Sequence, residues 1–155
     1  MLSRITLAAL AVALCACAEA PPHHDSHAPG NAQDPRQLVR FPDEMKAHTL
    51  SNMRDHLLAL EQIDAALSRG DYEAAASLAE QRLGMSSLEA HGAAHLAPFM
   101  PEGMRDAGTR MHRAASRFAI AAQDAAVSSD PKPALGALSE VMQQCVACHA
   151  AYRLH

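Results

Sequence analysis

The chain has 155 residues, and its 13 Lys and Arg against 17 Asp and Glu give a formal charge of −4. This length suits one folded domain, and so small a charge, with no basic patch interleaved with aromatics, argues against a nucleic-acid-binding surface. The apolar share is 49%, yet aromatics make up 3% and Trp is absent, so the core must be built from Ala, Leu and Met, which pack as helices more readily than as sheets.

The N-terminus reads as an export signal. Arg4 supplies a positive charge, and Ile5 to Leu14 is an apolar run interrupted only by Thr6, too short for the roughly 20 residues of a membrane-spanning helix and of signal-peptide proportions. Leu14-Cys15-Ala16-Cys17 follows and resembles a bacterial lipoprotein cleavage box, with Cys17 as the lipidated residue; ordinary cleavage near Ala18 or Ala20 is the alternative. Residues 1–16 are thus expected to be a signal peptide. Residues 17–40 are expected to be a flexible linker, because Pro21, Pro22, Pro29 and Gly30 interrupt a stretch without apolar periodicity,. His23, His24 and His27 in this linker read as solvated. The expected location is the bacterial periplasm, with membrane attachment only through acyl chains.

Residues 41–155 form the expected domain. Pro42 opens a first helix, Asp43 and Glu44 suit the positive end of its dipole, and Gly70 ends it,. Its positions Leu50, Met53, Leu57, Leu60, Ile63 and Leu67 step by three or four and predict one apolar stripe, leaving His48 and His56 solvated. Asp71 caps a second helix from Tyr72 to about Leu83, with a break at Gly84 before any continuation toward His95. After Pro98 and Pro101 a third helix runs from about Glu102 to Val127, with Met104, Met111, Phe118 and Ala122 available for packing. Beyond the loop Ser128–Pro133, a fourth helix runs from Ala134 to about Tyr152. Short connections between amphipathic helices predict an all-α, antiparallel up-down-up-down four-helix bundle. No strand-like alternation of useful length appears.

The four cysteines fall in two close pairs, Cys15/Cys17 and Cys145/Cys148, which is not the scatter of a disulfide framework. Cys145-Val146-Ala147-Cys148-His149 has the spacing of a c-type haem attachment site,. On a helix, positions i, i+3 and i+4 share a face. Both thiols can then form thioethers with the haem vinyl groups while the His149 imidazole meets the iron as proximal ligand. A thioredoxin-type pair would sit at a helix N-terminus after a strand, and a structural zinc site would need a fourth ligand. A non-haem thiol or zinc protein of the cell envelope is the rival from a different class.

A bundle with Cys145-Val146-Ala147-Cys148-His149-Ala150-Ala151-Tyr152-Arg153 at its far end resembles the class II c-type cytochromes, the cytochrome c-prime family with its low-spin relatives. The resemblance covers residues from about 41 to 155 and is strongest in the fourth helix. It implies one covalent haem c, with the haem between the first and last helices and Arg153 beside a haem propionate. The segment Asn52-Met53-Arg54-Asp55-His56 resembles that of the low-spin members, in which Met53 would be the distal iron ligand. The iron would then carry a His/Met pair suited to electron transfer. In cytochrome c-prime proper an apolar side chain, here Leu50, covers the iron and leaves it open to nitric oxide or carbon monoxide. Met45, Met100 and Met104 are more remote ligand candidates.

Electron transfer with Met53 and His149 as axial ligands is the leading expectation, and a gas-binding cytochrome with Leu50 over the iron is the alternative. No catalytic constellation stands out, so a carrier rather than an enzyme is expected. Its partner would be a redox protein of the cell envelope, and a homodimer is plausible by analogy with the family. His91 and His95, four apart, could clamp a metal if the second helix extended so far. Arg110, Arg113 and Arg117 form a basic stripe that reads as a solvated face or as a dock for an acidic redox partner.

Overall fold

The computed structural model describes residues 34–155. The signal segment 1–16, the lipidation candidate Cys17 and His23, His24 and His27 lie outside the described residues. The fold is all-α: α1 (Asp43–Ser68), α2 (Tyr72–Arg82), a one-turn α3 (Ala93–Leu96), α4 (Glu102–Ser128) and α5 (Lys132–Ala151). Two short strands, β1 (Gln37–Val39) and β2 (Tyr152–Leu154), join the ends of the described chain.

The local causes are those expected of the sequence. Pro42 stands before α1, with Asp43 and Glu44 in the first turn. At its end the amides of Gly70 and Asp71 return to the Leu67 and Ala66 carbonyls at 2.9 and 3.0 Å, and Gly70 takes a φ of +73°, a conformation natural to glycine,. Asp71 caps α2 by accepting from the Ala74 amide at 3.1 Å,. Pro101 precedes α4 and Pro131 precedes α5.

Three expectations change. Residues 34–40 belong to the folded unit, not to a linker ending at residue 40: β1 pairs in parallel with β2, in the register Gln37↔Tyr152, Leu38↔Arg153 and Val39↔Leu154. This is also the strand pairing that the sequence did not signal. The second helix does not continue past its break, since 3₁₀ turns at Met85–Ser87 and Ala97–Phe99 flank the short α3. Gly92, at φ +63°, turns the chain there, so His91 and His95 do not share a helix face. Finally, the buried stripe of α1 is Thr49, His56, Ala59, Ile63 and Ala66, rotated from the predicted one, and Leu57 is 70% exposed.

The main core is mostly alanine. Ala59 and Ala66 of α1, Ala75, Ala76 and Ala79 of α2, Ala114, Ala115, Ala119, Ala122 and Ala125 of α4 and Ala134 of α5 pack around Ile63, Leu83, Phe118, Leu138 and Val141. Small side chains let helix axes approach closely, and the few large ones fill the remaining space. A second cluster buries Val39, Phe41 and Leu96, with Met45, Met100, Met104, Tyr152 and Leu154 packed around them. Among the described residues no helix is long and apolar enough to cross a membrane.

Phe118 is fully enclosed. Phe118→Ala is expected to cost about 3–5 kcal/mol in urea denaturation. Val127→Ala, at a position 90% exposed, should stay within about 0.5 kcal/mol of wild type.

Candidate functional site: an apolar cleft between the first and last helices

α1 packs on α2, α2 on α4 and α4 on α5, but α1 and α5 do not close on each other. Between them lies a cleft of about 800 Å³, within the roughly 300–1,000 Å³ usual for small-molecule and cofactor sites. The wall from α1 carries Thr49, Leu50, Asn52, Met53 and His56; the opposite wall carries Cys148 and His149 of α5, followed by Tyr152, Arg153 and Leu154. Leu96, Met100, Met104 and Met111 add apolar surface.

The structure therefore brings Leu50, Met53, Cys148, His149 and Arg153 to one cleft. Leu50 and Met53 are each 38% exposed, because their side chains face this opening instead of the closed core. Cys145 is the exception among the sequence-predicted site residues, since it packs against the main core and its Sγ donates to the Val141 carbonyl at 3.6 Å. Burial pushes both thiols up from their ordinary pKa, opposite to the depressed values that activate thiol-exchange chemistry. Of the remoter methionine candidates, Met100 and Met104 line the cleft, whereas Met45 packs in the second cluster behind it.

The cleft is cationic at its polar positions. Arg36, Lys46, Arg105 and Arg153 line it, and among the described residues no Asp or Glu does, although the whole chain is acidic. Asp34 stands just outside: it accepts from Arg36 at 2.6 Å and lies 3.6 Å from Arg153 Nε. The Arg36 guanidinium, first through its side-chain hydrogen bond, lowers the Asp34 pKa to about 2. Arg153 Nε is buried and has no hydrogen-bond partner.

Sequence reasoning missed a group of histidines on the inner wall. His56 is buried, not solvated, and meets His91 and His112 at ring-centroid distances of 4.7 and 6.0 Å. His91 and His112 are 5.5 Å apart. His112 Nδ1 donates to the Leu83 carbonyl at 2.7 Å, and His91 Nδ1 sits 3.3 Å from Ser87 Oγ and 3.5 Å from His56 Nε2. The loop holding His91 is tied to α1 through its own carbonyl, which accepts from His48 Nε2 and Asn52 Nδ2, both at 2.9 Å. Asp55 of α1 pairs with Arg82 of α2, whose Nη1 also reaches Gln62 at 3.2 Å. Three rings from α1, the loop and α4 share no sequence spacing that could have revealed them. Among the described residues, no three His, Cys, Asp or Glu converge to hold a metal ion.

Arg110, Arg113 and Arg117 are exposed on α4. Arg110 Nε reaches Gln144 Oε1 at 3.3 Å, and Arg117 pairs with Glu140 at 3.3 Å. Much of this stripe thus braces α4 against α5.

Comparison of the chain with protein-family models, with curated proteins and with solved structures finds no match.

Burial, followed by its neighbours His91 and His112, lowers the His56 pKa to about 4, and burial is also the main cause of the downward shifts of His91 and His112. Each folded-state pKa lies below the unfolded value of about 6.5, so the unfolded chain takes up protons first as the medium is acidified. Stability from these groups is complete above about pH 6.5 and is lost from there down to about pH 4. The urea midpoint is expected to fall between pH 7 and pH 5, with a shallower fall in His56→Leu. A midpoint that is flat or rising over that interval contradicts this account.

Proposed function

We propose that the protein carries one covalent haem c in the α1–α5 cleft and transfers electrons to and from a redox partner of the cell envelope. The observation that carries this reading is the meeting, in one cleft, of the Cys148–His149 end of the attachment motif with Met53 and Leu50. The cleft's chemistry fits the group: an apolar interior suits a porphyrin face. Four cations without a lining carboxylate, and a buried Arg153 Nε without a hydrogen-bond partner, suit its two propionates,.

In this reading α1, α2, α4 and α5 are the four members of an antiparallel up-down-up-down bundle, and α1 and α5 stand apart to admit the cofactor. Cys145 and Cys148 supply the thioether sulfurs. For Cys145 this requires giving up its contact with the Val141 carbonyl, a weak S–H···O interaction whose loss costs little. His149 and Met53 would hold the iron, His149 from the attachment side. Haem supplies a one-electron couple, with a potential set by its axial ligands, burial and surrounding hydrogen bonds. The chain's own residues do the rest: Leu50, Met104 and Met111 exclude water, and Lys46, Arg105 and Arg153 hold the carboxylates.

A second reading rests on Leu50, which shares the α1 wall one turn before Met53. Leu50 would then cover the group in place of Met53, and His149 alone would hold an iron able to take nitric oxide or carbon monoxide. The protein is exported and anchored through Cys17 in either reading, and acts as a carrier rather than an enzyme.

Protein matured in a host that attaches haem c should show an intact mass raised by one haem that survives denaturation. Its spectrum should be low-spin and, when reduced, unchanged by carbon monoxide. Met53→Ala should become high-spin and bind carbon monoxide. Wild-type protein that binds carbon monoxide readily favours the Leu50 reading, and protein without covalent chromophore overturns both.

A further inference from the structure

The residues before the first helix take part in the site. α5 ends at Ala151, and the carbonyls of a helix's last turn have no partner within the helix. Tyr152 N–H returns to the Cys148 carbonyl. The next carbonyl, that of His149, accepts instead from Arg36 Nη1 at 3.3 Å. Arg36 comes from a segment 113 residues away in the chain. Its guanidinium also places a positive charge at the negative end of the α5 dipole.

Arg36 is not free to wander. Asp34 grips it through Nη2 at 2.6 Å and Nε at 3.0 Å, and the Arg36 amide donates to the same carboxylate at 3.1 Å. Immediately beyond, β1 pairs with β2, the strand that leads out of α5. Val39 and Phe41 are then buried at 3% and 4% exposure beside Tyr152 and Leu154. Burying apolar side chains of this kind is a main source of folding stability. That anchorage, rather than the exposed hydrogen bond alone, gives the Arg36 contact a fixed place.

Resting on the haem reading above, we propose that Arg36, held by Asp34 and carried on β1, is a positioning residue for the axial ligand His149. It acts through the His149 backbone, fixing the end of α5 and with it the plane and tilt of the imidazole. The same guanidinium and that of Arg153 face Asp34, so the strap sets the net charge beside the proximal ligand. Arg36→Gln removes a cation there and leaves Asp34 with Arg153 alone, which stabilises oxidised iron. Asp34→Asn does the reverse, freeing two cations.

The test uses full-chain protein from a haem c-competent host, as wild type, Arg36→Gln, Arg36→Lys and Asp34→Asn. Amide hydrogen exchange reads the tie itself, whatever the cofactor. Residues 149–154 of Arg36→Gln should exchange about tenfold faster, a loss of about 1.4 kcal/mol of local protection, with α4 unchanged. Electron paramagnetic resonance and the midpoint potential read the consequence. The oxidised signal of Arg36→Gln should change shape and its potential fall, that of Asp34→Asn should rise, and Arg36→Lys should recover most of the potential but not the exchange protection. Unchanged exchange at 149–154, or a wild-type signal and potential in Arg36→Gln, overturns the proposal while leaving the haem reading intact. Absence of chromophore from every variant overturns the haem reading, and the role proposed for Arg36 falls with it.

Discussion

The arrangement depends on how differently the two halves of α1 and α5 are packed. In the second half of α1, Ala59, Ile63 and Ala66 are buried, and in the first half of α5 so are Ala134, Leu138 and Val141. At that end alanines draw the helices together through α2 and α4. In the other halves, Leu50 and Met53 of α1 and Cys148 and His149 of α5 face a cleft. No large side chain bridges it, and the flanking elements do the work of keeping it shaped. The loop 84–101 closes one side, tied to α1 where His48 and Asn52 share the His91 carbonyl. The strap 34–41 and β2 close the other. A cleft of this form requires the tight end as much as the open one, because helices packed evenly along their length would leave no opening.

Much of this was legible in the sequence, for identifiable reasons. Proline and glycine act locally, so Pro42, Gly70, Asp71, Pro101 and Pro131 set helix limits within a residue or two of those observed. The cysteine and histidine spacing works the same way, since a helix puts i, i+3 and i+4 on one face whatever surrounds it. Placing Met53 and Leu50 opposite that motif needed the resemblance as well as the periodicity, and the cleft brings Leu50, Met53, Cys148 and His149 together, though not Cys145.

What could not be read depends on long-range neighbours. Hydrophobicity placed the α1 stripe at Leu50 and Leu57, because it has no means of recognising that Thr49 and His56 are buried. Thr49 satisfies its hydroxyl on the Met45 carbonyl at 2.8 Å, and His56 is accommodated by two other imidazoles. A polar residue is tolerated inside once its partners exist, and those partners come from elements that sequence spacing does not connect. Likewise, Gln37-Leu38-Val39 is too short to show alternation, and its partner strand is the three residues after α5. Cys145 illustrates the same limit from the other side: the spacing puts it on the face of Cys148 and His149, yet its sulfur is taken up by the core and the Val141 carbonyl.

The inner wall of the cleft and its cationic positions differ in their electrostatics. Burial holds the three inner histidines neutral near pH 7, so the inner wall presents no net charge to whatever enters. The lining cations come from four separate places: the strap (Arg36), α1 (Lys46), α4 (Arg105) and β2 (Arg153). Four like charges around one opening repel each other, an arrangement that costs stability unless anions answer it. Within the chain, Asp34 answers Arg36 and stands nearest Arg153, leaving Lys46 and Arg105 with no acidic residue beside them in the lining. A guest with an extended apolar body and two carboxylates at one edge meets both conditions, whereas a wholly apolar ligand leaves the cations uncompensated and a small anion leaves the apolar walls wet. The neutral inner wall and the lining cations constrain the shape and charge of a guest, and so support the proposed haem on grounds independent of the cysteine spacing.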